Sequence, residues 1–314
     1  MTDMAQVGRA ARRSKEYTLD RLKASIGNVE TSALTREFIL EFGRKRAKEG
    51  AGPVTIAIDI SYLGTVLQHA SAVYGYKVPT EQLRLGRAAL LHLGLIAKSK
   101  ERNRRPTQDE IDRITKCFDF TPGYRIPMSR IIKFAIATAM RQEEITRILW
   151  EDLREDPNTV IIRQRKHPRQ KQANAQTVPL VADTGYDPMV LLDEQAAMLG
   201  RKQGVIFPYN PRSIGHAFRR VCRDLQVDDL HFHDLRHEGI SRLFEADWDI
   251  PQVATVSGHK DWNMLQRYTH LRPSYIASRA GRALSVRSPF DRAKTSAQYS
   301  ARVNVAKPFS GVAA

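Results

Sequence analysis

A short charged segment divides this chain into two parts that must each bury their own apolar residues. The run KSKERNRRP over 98–106 lacks large apolar residues and ends in proline, which is typical of a linker between domains. Before it, from Lys15 to Ala97, apolar residues recur at helical spacing in four helix-length stretches. The sequence therefore predicts a compact helical domain over 15–97, followed by a second domain.

The second part of the chain mixes helical and strand-like patterns. Thr107 and Glu110 have the spacing of a capping box, and an apolar helix is predicted from Met128 to Met140. Residues 159–163 and 176–180 are strand-like, and helical patterns return after position 187. We expect a mainly α fold with a small β-sheet, in which a helical domain precedes a mixed α+β domain.

The positive charge of the chain is concentrated at its two ends. The 314 residues carry a formal net charge of +16. Residues 1–105 contribute +9 and residues 271–314 contribute +7, whereas the stretch between them is neutral overall. A basic N-terminal module and a basic C-terminal tail around a neutral core are typical of a protein that holds a polyanion. Nucleic acid is the partner that this pattern favours.

Composition excludes several other classes of protein. Hydrophobic residues make up 42% of the chain, enough for a packed core, and no apolar run approaches the roughly 18 residues of a membrane span. The start of the sequence lacks the apolar stretch of a signal peptide. Cys117 and Cys222 make neither a disulfide framework nor a zinc cluster. We expect a soluble cytoplasmic protein that associates with the nucleoid and needs no cofactor.

Several residues have the chemistry to act on a phosphodiester. His233 and Arg236 are three positions apart and lie on one helix face, where they are suited to a shared anion. Arg141 would supply a second guanidinium, and two guanidiniums can hold one phosphate as a metal ion does elsewhere. A tyrosine nucleophile such as Tyr268 has a pKa near 10 in isolation, so it needs cations and a base such as His233 nearby. The candidates in chain order are Arg141, Glu144, Lys166, His233, Arg236, His259 and Tyr268.

Each candidate also has an ordinary structural interpretation. Arg141 and Glu144 have the spacing of a helical ion pair, and a lone tyrosine usually packs in a core. A zinc site at His231, His233 and His237 is unfavourable, because Arg236 among them would repel a cation. It is the order and spacing of the whole set that favours chemistry, including the nine residues between His259 and Tyr268.

This set of motifs resembles the tyrosine recombinases, which include the phage integrases and Xer-like recombinases. The resemblance rests on TAMRQEEI (138–145), VIIRQRK with QTVPL (160–180), HFHDLRHEGISRLFEA (231–246) and VSGHKDWNMLQRYTHL (256–271). It is specific over about 107–271. Over 15–97 it extends only to general architecture, a helical core-site DNA-binding domain ahead of a catalytic domain.

The resemblance implies a metal-free and ATP-independent reaction. Tyr268 would attack a DNA phosphodiester to form a 3′-phosphotyrosine link and a free 5′-hydroxyl, and the reverse reaction would rejoin strands. Arg141 and Arg236 would hold the phosphate, and His233 would manage the tyrosine proton. The remaining roles are a phosphate hydrogen bond from His259, a proton from Lys166 to the leaving 5′-oxygen, and orientation of the site by Glu144.

Some assignments stay open within this resemblance. The loop after Lys166 is longer than in many members, so Lys171 is a competing general acid, and Tyr275 is expected to pack or to contact DNA. Many members have Thr-Gly-x-Arg where this chain has Thr-Ala-Met-Arg. The implied domains are a basic start (1–14), the core-binding domain (15–97), the linker (98–106) and the catalytic domain (107–288). The remaining tail (289–314) is either disordered or docked on a neighbouring protomer.

The implied partners are double-stranded DNA with inverted half-sites, further copies of the chain in a tetrameric synapse on DNA, and accessory directionality factors, without a membrane. An alternative is a catalytically silent relative that binds DNA as a regulator. A basic protein that binds RNA or another partner, with coincidental motifs, is a third hypothesis. A type IB topoisomerase shares the chemistry, but the size and the motifs favour recombination.

Overall fold

The computed structural model describes residues 13–99, 102–155, 158–163, 165 and 174–268. Contacts divide the chain into two units, with the boundary between Arg102 and Asn103. The mainly helical fold with a small sheet is confirmed. No helix within the described residues is long and apolar enough to span a membrane.

The first unit is built from helices around a small apolar core. Its described helices are α1 (Arg13–Ile26), α2 (Arg36–Lys48), α3 (Pro53–Tyr74) and α4 (Thr80–His92). Helix α2 begins where the Thr35 side chain accepts a hydrogen bond from the Phe38 backbone N–H, the usual role of an N-cap threonine. Leucine, isoleucine and phenylalanine side chains from all four helices form the core, among them Leu22, Ile39, Phe42, Ile60 and Leu90.

One carboxylate lies fully inside this helical core. Asp59 on α3 is buried, and it accepts hydrogen bonds from Arg21 and, at 3.1 Å, from Arg46 Nε. Arg46 Nη1 also pairs with Glu49 at 2.5 Å. Because a buried charge is stable only when it is paired and hydrogen-bonded, this network ties α1, α2 and α3 together.

The second unit surrounds a small sheet with helices. Its described elements are helices α5 (Gln108–Phe120), α6 (Met128–Thr138), α7 (Gln142–Ile145), α8 (Pro188–Leu199), α9 (Pro211–Asp224), α10 (Phe232–Glu245), α11 (Ile250–Ser257) and α12 (Asn263–Gln266), with strands β1 (Leu153–Glu155), β2 (Asn158–Ile162) and β3 (Gln176–Pro179). The strands pair antiparallel in the order β1-β2-β3, with Val160 opposite both Leu153 and Val178.

Helices α6 and α10 cross closely at the centre of this unit. Helix α6 is buried along nearly its whole length. At Gly239 on α10, an added Cβ would lie 2.2 Å from the carbonyl oxygen of Ile136. A glycine is therefore required for the backbones to approach this far. The crossing places the N-terminal half of α10 beside the C-terminal end of α6, where the candidate residues gather.

The chain that enters the second unit is held in place by ion pairs. The structure confirms the predicted capping box, and Arg104 forms an ion pair with its Glu110. Arg105 Nε donates to the buried Glu238 at 2.8 Å and Nη1 to Glu245 at 2.7 Å, both on α10. The last residues of the predicted linker are therefore fixed against the helix that carries His233 and Arg236.

The apolar helix predicted from Met128 to Met140 ends two residues early. Helix α6 stops at Thr138, and Ala139 adopts a left-handed conformation with φ of 49°. Arg141 then forms the N-cap of the separate short helix α7. The predicted helix continued because alanine and methionine favour helices, and residue types alone do not show where the chain must turn.

Candidate active site

Helix α10 carries three of the site's side chains, and its start is held by an acidic cap. The His231 backbone N–H donates to Asp234 Oδ2 at 2.8 Å, and Asp234 is buried. This capping interaction sets the first turn of α10, which contains exposed His233 and is followed by Arg236 and His237. The aspartate in the motif HFHDLRH therefore orders the helix that presents the neighbouring basic residues.

Arg236 is buried and held by backbone carbonyls at the ends of two other helices. Its Nη1 donates to the carbonyl of Ala139 after α6, and its Nη2 donates to the carbonyl of Ser257 at 2.8 Å. Nη2 also lies 3.4 Å from His259 Nε2. These bonds fix the plane of the guanidinium.

Arg141 and Glu144 hold each other at the start of α7. The Arg141 backbone N–H donates to Glu144 Oε2 at 3.1 Å, and its Nη1 donates to Glu144 Oε1 at 2.8 Å. The Glu144 side chain is almost fully buried, whereas that of Arg141 is about a quarter exposed. The buried Glu144 carboxylate thus orients the Arg141 side chain.

A third guanidinium, Arg165, lies in the same cluster. Its side chain is 1% exposed, its Nε lies 3.6 Å from Glu144 Oε1, and its Nη2 donates to the carbonyl of Val256 at 2.9 Å. Within the described residues, Nε and Nη1 of Arg165 have no hydrogen-bond partner. Arg165 packs directly on Gly258, where an added Cβ would be 2.3 Å from its Cζ.

The cluster therefore carries more positive than negative charge. Burial alone would raise the pKa of Glu144, but the charges of Arg165, Arg141 and Arg236 outweigh it and lower that pKa. Burial, together with Arg141, lowers the pKa of Arg236 to about 9, so its guanidinium is still charged at pH 7. Three guanidiniums around one buried carboxylate leave a surplus of positive charge that an anion would neutralise.

The His259 ring is neutral, and a hydrogen bond to Ser257 fixes its orientation. Burial, with Arg236 and Arg141 nearby, lowers the pKa of His259 to about 3. Ser257 Oγ donates to the carbonyl of Val253 at 2.7 Å, so Oγ must accept from His259 Nδ1–H at 2.8 Å. In this tautomer, His259 Nε2 is an acceptor that faces Arg236.

Tyr268 lies along the face of α10, two residues after the end of α12. Its hydroxyl is hydrogen-bonded to His237 Nδ1, and the two rings are 5.6 Å apart at 27°. The Phe244 ring, two turns further along α10, is also nearly parallel to Tyr268 at 6.4 Å. The Arg267 guanidinium lies 5.5 Å from the centre of the tyrosine ring, and its Nη2 donates to Asn103 at 2.7 Å.

The structure brings most of the predicted residues into one cluster. Arg141, Glu144, Arg236, His259 and Tyr268 lie together, and the His233 ring is 5.1 Å from that of His237. The predicted Lys166, its competitor Lys171, Tyr275 and the tail over 289–314 lie outside the described residues.

Two members of the cluster were not predicted from the sequence. Arg165 directly precedes the predicted lysine, and His237 directly follows Arg236. For His237 the signal was present in the motif Leu-Arg-His, but the sequence does not show that Tyr268 folds back onto this helix. For Arg165 nothing in the sequence distinguishes a buried arginine from its exposed neighbours.

Comparison with known proteins identifies the family. Residues 104–274 match the model of the phage integrase family. The shufflon-specific DNA recombinase of Escherichia coli is 35% identical over 184 residues, which cover 58% of this chain and 44% of that protein. The chain thus matches less than half the length of that relative.

Solved structures share the fold. A lambda integrase (75–356) dimer bound to a COC′ core site aligns with a TM-score of 0.66 and 19% identity, covering 87% of this chain and 94% of that one. A lambda integrase tetramer bound to a Holliday junction aligns with a TM-score of 0.64 and 19% identity, covering 84% and 74%. The family match covers more than half of the chain and includes the whole cluster built above, so this chain belongs to the phage integrase family of tyrosine recombinases.

Proposed function

We propose that this chain is a site-specific DNA recombinase that cuts and rejoins DNA through a 3′-phosphotyrosine intermediate, without a metal ion or ATP. The observation that carries the proposal is the surplus of guanidinium charge around Glu144 beside the hydroxyl of Tyr268. A phosphodiester is an anion that this surplus would bind, and a tyrosine hydroxyl next to a bound phosphate is placed to attack it.

The proposed roles combine this arrangement with the family resemblance, which alone supplies the role of the lysine. Arg141 and Arg236 hold the non-bridging oxygens of the scissile phosphate, where they stabilise the charge that grows in the transition state. Tyr268 Oη forms a bond to phosphorus as the bond from phosphorus to the 5′-oxygen breaks. Lys166, with Lys171 as the competitor, supplies the proton that the leaving 5′-oxygen needs. His259 hydrogen-bonds the phosphate.

His259 must change partner for that role. In the tautomer that Ser257 selects, its Nε2 accepts from Arg236 and cannot donate to a phosphate oxygen. A bound phosphate would place negative charge beside this ring and raise its pKa, so that Nε2 gains a proton and becomes a donor. The site is thus ready to take up a proton when DNA binds.

The first unit is the part that we assign to holding DNA. Residues 15–97 would form the core-site DNA-binding domain, in keeping with the +9 charge of residues 1–105. We propose that two copies bind inverted half-sites and that four form a synapse, since a lambda integrase tetramer on a Holliday junction shares the fold. Accessory factors would set the direction of the reaction.

Covalent trapping tests the chemistry. The probe is a pool of nicked DNA duplexes with randomised sequences on both sides of the nick. Cleavage near the nick releases a short fragment, so the strand cannot be rejoined and the protein stays covalently bound to the DNA. Covalent complexes are recovered from a denaturing gel and sequenced. We expect the unaltered protein to enrich one sequence and Tyr268→Phe to form no adduct, whereas Tyr275→Phe should still form one. If the protein bound some of these duplexes in a gel-shift experiment but formed an adduct with none of them, the regulator hypothesis would replace this one.

The lysine assignment needs a separate experiment. A substrate with sulfur in place of the bridging 5′-oxygen has a leaving group that needs no proton. We expect this substrate to restore cleavage to Lys166→Ala and to have little effect on Lys171→Ala, which should cleave ordinary DNA normally. Restoration of Lys171→Ala alone would transfer the general acid role to Lys171.

A further inference from the structure

We propose that His237 accepts the proton of the Tyr268 hydroxyl during strand cleavage and returns it during rejoining. This inference deepens the recombinase function proposed above and rests on it. It assigns to His237, a residue outside the predicted set, the role that the resemblance implies for His233, because His237 contacts the atom that would attack phosphorus.

A hydrogen bond and ring packing both hold Tyr268 against His237. His237 Nδ1 and Tyr268 Oη are hydrogen-bonded, and the rings are 5.6 Å apart at 27°. His237 and Phe244 are seven residues apart on α10, so both lie on one face of the helix, and the tyrosine ring is nearly parallel to each. The tyrosine is therefore placed by packing, and its hydroxyl is directed at the imidazole.

The direction of this hydrogen bond follows from the charge state of the ring. Burial, with His233 and Arg267 close by, lowers the pKa of His237 to about 4, so the imidazole is neutral at pH 7. A phenol donates well, and an unprotonated ring nitrogen accepts well. Tyr268 therefore donates to Nδ1, and the ring proton of His237 is on Nε2.

A neutral imidazole with a low pKa is a weak base until its surroundings change. The charged and titratable groups that face His237 are His233, Asp234 and Arg236 on its own helix, His259 after α11, and Arg267 with Tyr268 from the segment after α12. Binding of a phosphate at Arg236 adds negative charge to this set. That charge raises the affinity of His237 for a proton at the moment when the nucleophile needs to lose one.

The proton balance is complete. In cleavage, Tyr268 Oη bonds to phosphorus, its proton moves to His237 Nδ1, and the leaving 5′-oxygen receives a proton from the proposed lysine. In rejoining, the incoming 5′-hydroxyl gives its proton to that lysine. The phosphotyrosine bond then breaks, and His237 returns the first proton to Tyr268. No external acid, base or oxidant is required.

The test separates proton transfer from positioning. In His237→Asn, the side-chain oxygen can take the place of Nδ1 as an acceptor, but it cannot hold a proton. The substrate is the nicked duplex enriched by the unaltered protein. We expect DNA binding to be unchanged and the rate of adduct formation to fall by about 10²–10⁴-fold, the usual contribution of a general base.

A more acidic tyrosine distinguishes a lost base from a displaced ring. A fluorinated tyrosine at position 268 ionises more readily, so it should recover at least tenfold of the rate lost in His237→Asn. His233→Asn with the same fluorinated tyrosine is the matched control and should not recover. Recovery of the His233 variant instead, or a rate for His237→Asn within about threefold of the unaltered protein, would overturn the proposal.

A measurement without DNA separates this proposal from the recombinase function. In protein labelled with ¹⁵N-histidine, long-range proton–nitrogen spectra identify the tautomer of each ring. We expect Nε2–H at His237 and a shift of its Nδ1 signal in Tyr268→Phe. A proton on Nδ1 would overturn the proposal even if adducts form. Absence of adducts with the unaltered protein would overturn both the recombinase function and the proton transfer.

Discussion

The buried Arg236 donates a hydrogen bond to the carbonyl oxygen of Ala139, a residue whose own backbone is left-handed with φ of 49°. A second bond from Arg236 reaches the carbonyl of Ser257 at the end of α11. The Arg236 guanidinium, which we propose to hold the phosphate, is therefore fixed by backbone carbonyls at the C-terminal ends of α6 and α11. Its geometry depends on backbone turns as much as on the arginine itself.

The first prediction concerns the turn at Ala139. A non-glycine residue in this conformation costs roughly 1–2 kcal/mol, and glycine removes that penalty but loses more entropy on folding. We expect Ala139→Gly to change the free energy of unfolding by less than about 1 kcal/mol and to keep adduct formation. Ala139→Val should lose about 2–4 kcal/mol, because it adds bulk in a buried position as well as strain. Urea unfolding of both variants measures the difference, and equal stabilities would contradict it.

The second prediction concerns the contact between Gly258 and Arg165. Gly258 and Gly200 both end a helix with positive φ, at 72° and 66°. An added Cβ at Gly258 would be 2.3 Å from Arg165 Cζ, whereas at Gly200 it would meet nothing within 4 Å. Both alanine variants pay the backbone cost of roughly 1 kcal/mol. Only Gly258→Ala should displace Arg165, which should lower the free energy of unfolding by about a further 1–3 kcal/mol. The same variant should slow adduct formation at least tenfold. Urea unfolding and covalent trapping of the two variants provide the comparison.

The third prediction concerns Glu144, the buried carboxylate beside the three arginines. Glu144→Gln leaves Arg141, Arg165 and Arg236 without a balancing charge, so we expect a loss of about 3 kcal/mol in stability. Glu143→Gln is the matched control, since Glu143 is well exposed and lies 3.7 Å from Arg147 on the surface. It should change stability by less than about 1 kcal/mol. Thermal unfolding with added sulfate or phosphate adds a second readout, because an anion bound at the cluster should stabilise Glu144→Gln more than the general salt effect stabilises Glu143→Gln.

The fourth prediction tests whether Arg236 needs both of its terminal nitrogens. Its two terminal nitrogens reach carbonyls at Ala139 and Ser257, and a lysine has one nitrogen to reach them with. We expect Arg236→Lys to leave one buried carbonyl unpaired, to lose about 1–3 kcal/mol in stability, and to slow cleavage by about 10²-fold or more. A lysine variant that cleaves at the normal rate would show that only the charge at this position matters.

The fifth prediction concerns pH. The pKa of His237 is lowered to about 4 and that of His259 to about 3, from an ordinary value near 6.5. Below pH 6.5 both histidines bind protons in the unfolded chain but stay neutral in the folded chain. The free energy of unfolding should therefore fall as the pH is lowered from 6.5 towards 4. Above pH 6.5 these rings are neutral in both states and contribute no slope. Urea unfolding at a series of pH values should show a shallower slope in His259→Gln, and an unchanged slope would contradict the assignment.

The resemblance of this chain's motifs to those of the tyrosine recombinases predicted the family and the candidates Arg141, Arg236, His259 and Tyr268, which the structure brings together. Apolar patterning predicted the mainly helical fold with a small sheet. This succeeded because a helix places residues three positions apart on one face, and because a rare set of reactive residue types recurred in a fixed order. Capping residues such as Thr107 and Glu110 were also visible, since a cap acts over three or four positions.

Long-range contacts were decided only in the tertiary structure. The contact of Tyr268 with His237 joins residues 31 positions apart, and the bond from Arg236 to Ala139 joins residues 97 apart. The end of α6 and the burial of Arg165 are of the same kind. Each depends on which surfaces pack together, and packing is a property of the whole core. Sequence therefore determined which reactive residue types this protein carries and in what order, and the tertiary structure decided which histidine contacts the tyrosine and what holds each arginine in place.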